Sequence, residues 1–301
     1  MYLGIEIGGT KLQLGIGDGA GVLHALRRDT IVPADGADGI RRQITHAIPG
    51  LLADAKRGHG ELRGVGVGFG GPVDDATRTV IKSHQIVGWD GFPLADWIGE
   101  LTGLPAVLGN DADVAGLAEA LFGAGKGLSP IFYITIGSGI GGGLIINGEI
   151  YRGCGRGAAE IGHLRVTRSD LARLPLEIFA SGWGIQEMFA DRTGDRPPPL
   201  AAEIARRAEH NDEHACVVLG IAIDRLAECI CHVISLLCPR RFIIGGGVSL
   251  IGEELLFKPL RKLVAERVFK PFADCYDIVP AALGEEVVVH GALALALQRL
   301  G

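Results

Sequence analysis

Apolar positions in this chain come as short runs separated by glycine-rich turns. The first three runs are YLGIEI, KLQLGIG and GVLHALRR, and each has the length and β-branched content of a strand. A stretch of helical period follows from about Gly39 to Ala55, then the strand LRGVGVGF, the turn GGPVDD and a short strand at TVIKS. The helix PLADWIGELTG precedes the strand PAVLGN, and Asp111, a good N-cap type, opens the helix ADVAGLAEALFG. From Pro130 the pattern restarts. IFYITIGSGIGGGLIINGEIY has the opening order of apolar strand, glycine turn and apolar strand, and Ile5–Thr10 aligns with Ile134–Gly139. Helices dominate 175–237; the strand RRFIIGGG, another helix, a short strand near Ile278 and the terminal helix GALALALQRL complete the order. Such alternation predicts an α/β protein with a mixed sheet in each half. The expected division is a smaller N-terminal α/β domain over 1–110, with a terminal helix at about 290–301 packed back on it, and a larger α/β domain over 111–289.

Composition narrows the class. With 301 residues, 48% hydrophobic and 21% charged, the chain is long enough for two well-buried cores. A net charge of −6 argues against broad nucleic-acid binding but leaves room for a nucleotide, whose phosphates can be held by main-chain amides. No apolar run reaches the roughly 18 residues of a membrane span, and the N-terminus has no signal-like pattern, so a cytoplasmic protein is expected. Six cysteines are present; Cys229-x-Cys231-His232 has metal-like spacing, but its helical period points residues 229 and 231 to different faces, which favours a core helix. The outlier is glycine, at 47 residues, read as shaped turns.

Gly137, Gly139 and Gly142 satisfy G-x-G-x-x-G, and Glu160 lies near the spacing of a ribose-binding acid. A dinucleotide site would need a helix directly after the glycines, whereas a β-branched run with an Asn-Gly hairpin signal follows. Two glycine-tipped hairpins suit a different task, the cradling of a nucleotide's phosphate chain by exposed amides. A third cluster, IIGGGV at 243–248, would let a base or ribose lie against backbone. One such turn would read as an ordinary tight turn. Three at corresponding strand ends point to a nucleotide.

These motifs resemble the ROK family of sugar kinases and repressors, in the actin and hexokinase superfamily. GIEIGGTK is similar to its first phosphate motif and TIGSGIGGGLI to its second; GVGFGGPVD, GWDGFPL, GNDAD, AAEIGH and IIGGGV resemble further family motifs, in family order from residue 4 to residue 248. The resemblance implies two actin-like (ribonuclease H-like) α/β domains, each with a mixed sheet, separated by a ligand cleft. It implies that Gly8, Gly9, Thr10 and Lys11, with Thr135, Gly137, Ser138 and Gly139, serve ATP phosphates, and that Gly245, Gly246 and Gly247 serve the adenosine. Glu6 would bind Mg2+ through water. Gly71, Asn110, Asp111, Glu160, His163 and Glu177 would bind the sugar, with Asp111 also the general base; apart from the motifs, Asp111 reads as a helix cap alone.

Three departures stand out. Glu6 replaces the usual Asp. Gln85 replaces the usual Asn before Trp89. The family's cysteine-rich zinc motif is absent after His163, where GHLRVTRSDLARLPLEIFASG holds no cysteine. One histidine cannot make a four-ligand site, so no structural zinc is expected and His163 keeps both ring nitrogens for hydrogen bonding. The expected activity is an ATP-dependent hexose kinase acting on the 6-hydroxyl, with glucose the first expectation and fructose, mannose, allose or an N-acetylhexosamine as alternatives. A catalytically silent sugar sensor is a further alternative, opposed by the intact Glu6, Asp111 and phosphate turns. Repressor relatives carry a DNA-binding domain ahead of the first phosphate motif, where this sequence has one residue before its first strand, so no nucleic-acid partner is expected. No membrane partner is expected either, and the resemblance suggests a homodimer.

Overall fold

The computed structural model describes residues 1–58, 60–83, 85–167 and 172–301. In chain order the main elements begin with β1 (Tyr2–Ile7), β2 (Lys11–Gly17), β3 (Leu23–Thr30), α1 (Gly36–Gly58), β4 (Gly64–Phe69), β5 (Val73–Asp74), β6 (Thr79–Val80), α2 (Leu94–Thr102), β7 (Ala106–Asn110) and α3 (Asp111–Leu121). There follow β8 (Ile131–Ile136), β9 (Ile140–Ile146), β10 (Glu149–Ile150), β11 (Arg165–Thr167), β12 (Arg173–Pro175), α4 (Glu177–Ala180), α5 (Gly182–Thr193), α6 (Ala201–Glu209), α7 (Glu213–Leu237), β13 (Arg241–Gly245), α8 (Lys258–Arg267), β14 (Asp277–Pro280) and α9 (Val287–Leu300). Among these residues no helix is long and apolar enough to cross a membrane.

The chain forms two compact units, one of residues 1–126, 143–158 and 283–301, the other of 127–142 and 159–282. The sequence division at 110/111 therefore moves: α3 belongs to the first unit. The cause is packing. Gly291 of α9 meets α3 so closely that a side chain there would run into the Val114 carbonyl oxygen.

The first unit is built on a sheet ordered β3-β2-β1-β4-β7, antiparallel at β3-β2-β1 and parallel at β1-β4-β7. Strand alternation gives this sheet two unlike faces. Leu3, Ile5, Ile7, Val65, Val67 and Phe69 share a core with Ile40, Ile44 and Ile48 of α1 and with Trp89. The opposite face carries Gly4, Gly15, Gly17, Gly64, Gly66 and Gly68, and α9 lies directly on it. A side chain on Gly66 would run into the Ala292 carbonyl oxygen, and one on Gly68 would come within 2.5 Å of Val288. Many of the glycines read as turns thus form a smooth bed for a helix. This bed draws α9 close to β1 and places its lead-in, Glu285, near the tip of the β1–β2 hairpin, where Lys11 Nζ donates to the Glu285 carbonyl at 3.0 Å.

The second sheet is ordered β10-β9-β8-β13-β14, with β13 parallel to both β8 and β14. Strands β8 and β9 repeat the β1–β2 arrangement of strand, glycine turn and strand. The residues after Gly139 form β9, the strand that the β-branched run predicts in place of a dinucleotide-binding helix. In the second unit, Phe132 and Phe242 meet at a tilted angle of 40° with ring centroids 5.6 Å apart, and α7 is the longest helix there. That helix begins at an Asp212 cap, whose carboxylate accepts from the Ala215 amide at 2.9 Å. Cys229 on α7 is buried, and burial pushes its thiol up to about 12; Cys231 is half-buried and His232 exposed. The spacing at 229–232 is that of a core helix.

Candidate active site

In the first unit, the β1–β2 tip is closed by the Gly8 amide donating to the Lys11 carbonyl at 3.0 Å. The register pairs Glu6 with Gln13 across the hairpin, directly below this turn. Both are buried, at 6% and 0% exposure, on the face that α9 covers. Lys11 Nζ lies 3.1 Å from Glu6 Oε1, and Gln13 Nε2 donates to the Glu285 carbonyl at 3.1 Å. Glu6 Oε2 and Gln13 Oε1 are buried without a hydrogen-bond partner. Desolvation raises the Glu6 carboxyl from 4.5 to about 7; Lys11 opposes the rise, while the charges of Asp111 and Glu285 add to it.

The turn after β4 closes on the same place. The Gly70 amide donates to the Ile7 carbonyl at 2.8 Å. A side chain at Gly70 would come within 3.4 Å of the Gly8 Cα and 3.5 Å of Asp111 Oδ2. Glycine at 70 therefore lets the β1–β2 turn and the Asp111 carboxylate approach one another. Asn110 ends β7 in extended conformation and is the N-cap of α3: its Oδ1 accepts from the Ala112 amide at 2.9 Å and the Asp113 amide at 3.2 Å. Its Nδ2 donates to the Gly71 carbonyl at 3.0 Å, tying the start of α3 to the Gly70–Gly71 turn. The cap expected at Asp111 is thus one residue earlier, and Asp111 is the first helical residue, with Oδ1 accepting from Ala112 at 2.8 Å. Asn and Asp cap equally well, so composition alone does not separate them. Gln85, noted for departing from the family, lies over the first turn; a side chain on Gly9 would overlap its Oε1.

In the second unit, Thr135 on β8 pairs in register with Gly245 at the end of β13. Gly246 has φ 83° and packs against the end of β8, where a side chain would come within 2.6 Å of the Ile136 carbonyl carbon. The second and third glycine clusters are therefore adjacent. No atom would crowd a side chain at Gly137 or Gly247, so the backbone of both is open to a ligand. The first amides of α5 hold the turn: Gly182 N donates to the Gly137 carbonyl at 2.8 Å and Trp183 N to the Ser138 carbonyl at 3.4 Å.

Glu177 opens α4 and accepts the Ile140 amide on Oε2 at 3.1 Å, so one of its oxygens is committed to the second turn beside Gly139. Glu160 and His163 bracket a single 3-10 turn, with His163 N donating to the Glu160 carbonyl at 3.1 Å; both are exposed. Of the segment that lacks the family's cysteines, 168–171 lie outside the described residues. Among the described residues no three His, Cys, Asp or Glu side chains gather in a metal-holding group.

Sequence reading therefore finds the turns, and the structure brings Glu6, Gly8–Lys11, Gly71, Asn110 and Asp111 together in one unit. Thr135, Gly137–Gly139, Glu177 and Gly245–Gly247 cluster in the other. Gln13, Gly70 and Glu285 were missed. A polar residue inside KLQLGI is a visible signal for Gln13; Glu285 carries none, because its role is played by a main-chain carbonyl.

Two mixed sheets, each with a hairpin bearing a glycine turn, define the actin-like α/β fold found in solved ROK kinases. The chain belongs to the ROK family, which it matches over residues 2–299. The glucokinase of Thermotoga maritima is 30% identical, across 99% of this chain and 98% of that protein. An N-acetylgalactosamine kinase of Shewanella is 31% identical across 86% of this chain and 85% of its own length. The crystal structure of a ROK family glucokinase from Streptomyces griseus in complex with glucose and AMPPNP matches with a TM-score of 0.81 at 32% identity, covering 99% of each chain.

Proposed function

We propose that this ROK sugar kinase transfers the γ-phosphoryl group of ATP to the 6-hydroxyl of a hexose, and that the hexose is glucose. The observation that carries the reading is the Asp111 carboxylate, half-buried at a strand-to-helix junction and beside the glycine turn at Gly8. Phosphoryl transfer to an alcohol needs a carboxylate at the attacking hydroxyl and donors around the phosphates. In this reading Asp111 accepts the hydroxyl proton, and Asn110 holds Asp111 in place through the α3 cap. Asn110, Glu160, His163 and Glu177 accept from and donate to sugar hydroxyls. The turns at Gly8–Thr10 and Gly137–Gly139 receive phosphate oxygens, and Gly245–Gly247 the adenosine.

The residues present suit magnesium. Glu6 Oε2 and Gln13 Oε1 are buried oxygens without a hydrogen-bond partner, and Mg2+ commonly takes one or two carboxylates and completes its shell with water and substrate phosphates. Glu6 would hold the ion through water. Bound there, magnesium would neutralise charge on the transferring phosphates.

Similarity to the Shewanella N-acetylgalactosamine kinase favours an N-acetylhexosamine as the second reading. A coupled ADP-release assay over hexoses and N-acetylhexosamines separates the two. ADP release with N-acetylhexosamines and not glucose would replace the first reading by the second, and ATP-competent protein that turns over none of them would make it a silent sensor. Asp111→Asn tests the base. Turnover is expected to fall by about 10²–10⁴, with glucose affinity by calorimetry and melting temperature nearly unchanged, because the helix cap is Asn110. Turnover within about threefold of the parent would defeat the assignment, given the size of a general-base contribution.

A further inference from the structure

Away from the glycine turns, the first unit holds a cavity of about 270 Å³, walled by Ala106–Leu108 at the start of β7 and by the end of α9. It is lined by Arg152 and Arg299, with Arg78 and Asp75 also on the wall. Arg152 is the telling residue. Its side chain is only 10% exposed. Its Nε faces Asp75 Oδ2 at 2.6 Å, while Nη2 is buried with no hydrogen-bond partner. A buried guanidinium donor without an acceptor is uncommon, and an anion that draws the Arg152 head group toward the cavity would relieve that cost. Arg78 is paired with Asp96, and Asp75 offsets Arg152, so Arg299 leaves the wall with an excess of positive charge.

We propose that this cavity is a second, non-catalytic site for a small phosphate group, free or esterified, received by Arg152 and Arg299. Two guanidinium groups from separate elements, the chain after β10 and the last turn of α9, line one space. A tetrahedral oxyanion can accept from donors in different planes, whereas a planar carboxylate is matched by a single guanidinium fork. The cavity borders the first three residues of β7, Leu108 lies two residues, roughly 7 Å at 3.3 Å per residue, before Asn110 at the end of that strand, and neither the Gly8–Thr10 turn nor Asp111 lines it. An occupant would thus be distinct from phosphates at the Gly8 turn. The inference stands whether or not the sugar is glucose.

The test uses the full-length protein. Crystals soaked in tungstate, a heavy phosphate analogue, are expected to show an anomalous peak in the cavity between Arg152 and Arg299, absent from Arg152→Gln crystals. In solution, calorimetry with the nucleotide site filled by AMPPNP compares inorganic phosphate with a hexose monophosphate, and the tighter binder identifies the source. Arg299→Gln, at an exposed position, is expected to fold normally and to weaken that binding at least about tenfold, the loss of a charge-assisted hydrogen bond. No tungstate peak at the cavity, or a peak with no binding of either phosphate in solution, would overturn the proposal. So would Arg299→Gln affinity equal to that of the parent.

Discussion

Replacing Glu6 by glutamine keeps the shape of a buried side chain and removes its charge. Folding raises the Glu6 pKa from 4.5 to about 7, chiefly by desolvation, so the folded protein holds the proton more tightly than the unfolded chain does. The corresponding stability is fully present below 4.5 and is lost as pH rises through about 7. At 1.36 kcal/mol for each pH unit, the rise corresponds to roughly 3 kcal/mol. Lys11 is not stranded by the change, since it keeps the Glu285 carbonyl at 3.0 Å and is about one-third exposed. In protein free of metal and nucleotide, Glu6→Gln is therefore expected to be more stable than the parent by roughly 3 kcal/mol near pH 8, and by less than about 1 kcal/mol near pH 5. Urea denaturation at the two pH values reads this difference directly. A variant no more stable than the parent near pH 8, or one with the same advantage at both values, would refute the reasoning. ATP turnover by the same variant is expected to drop, because a carboxylate held at the expense of stability is held for its charge.

Gly66→Ala is expected to destabilise the protein by at least about 1–3 kcal/mol, since the added methyl meets the Ala292 main chain and no side chain can swing aside; an unchanged melting temperature would show that α9 does not lie on β4 in this way. Gly9→Ala meets chiefly the amide end of Gln85, so its cost should be relieved in a Gln85→Ala background, with a coupling of about 0.5–3 kcal/mol. Strictly additive effects would separate the two residues. Metal analysis after a chelator wash should find far less than one zinc per chain, and stoichiometric zinc retained through the wash would point to ligands outside the residues expected.

Much of this architecture is legible from local pattern. Apolar runs and glycine tips place both hairpins, because strand period and turn chemistry are properties of neighbours in sequence. The glycines within strands are not legible in the same way. Nothing in GVGVGF says that a helix more than two hundred residues later will press on Gly66, so a count of 47 glycines reads as turns when several form a packing bed. The α3 cap is misplaced by one residue because Asn110 and Asp111 are both good capping types, and only the extended backbone at Asn110 decides. The Glu177 carboxylate is proposed as a sugar contact only through resemblance, while its bond to the Ile140 amide depends on where α4 lands. Glu6 and Gln13 stand out as polar residues in apolar strands, yet the atom that anchors Lys11 and Gln13 is a distant backbone oxygen.

The bed of glycines under α9 also bears on the order in which the protein can be made. Strands β1, β2 and β4 leave the ribosome well before the helix that covers their glycine face. All of the second unit lies between them in the chain. Contacts of such long sequence separation form late, so the second unit can complete its core while the first sheet still has one face bare. During synthesis, that bare face, with β1 at its centre, is where a chaperone would find the nascent chain.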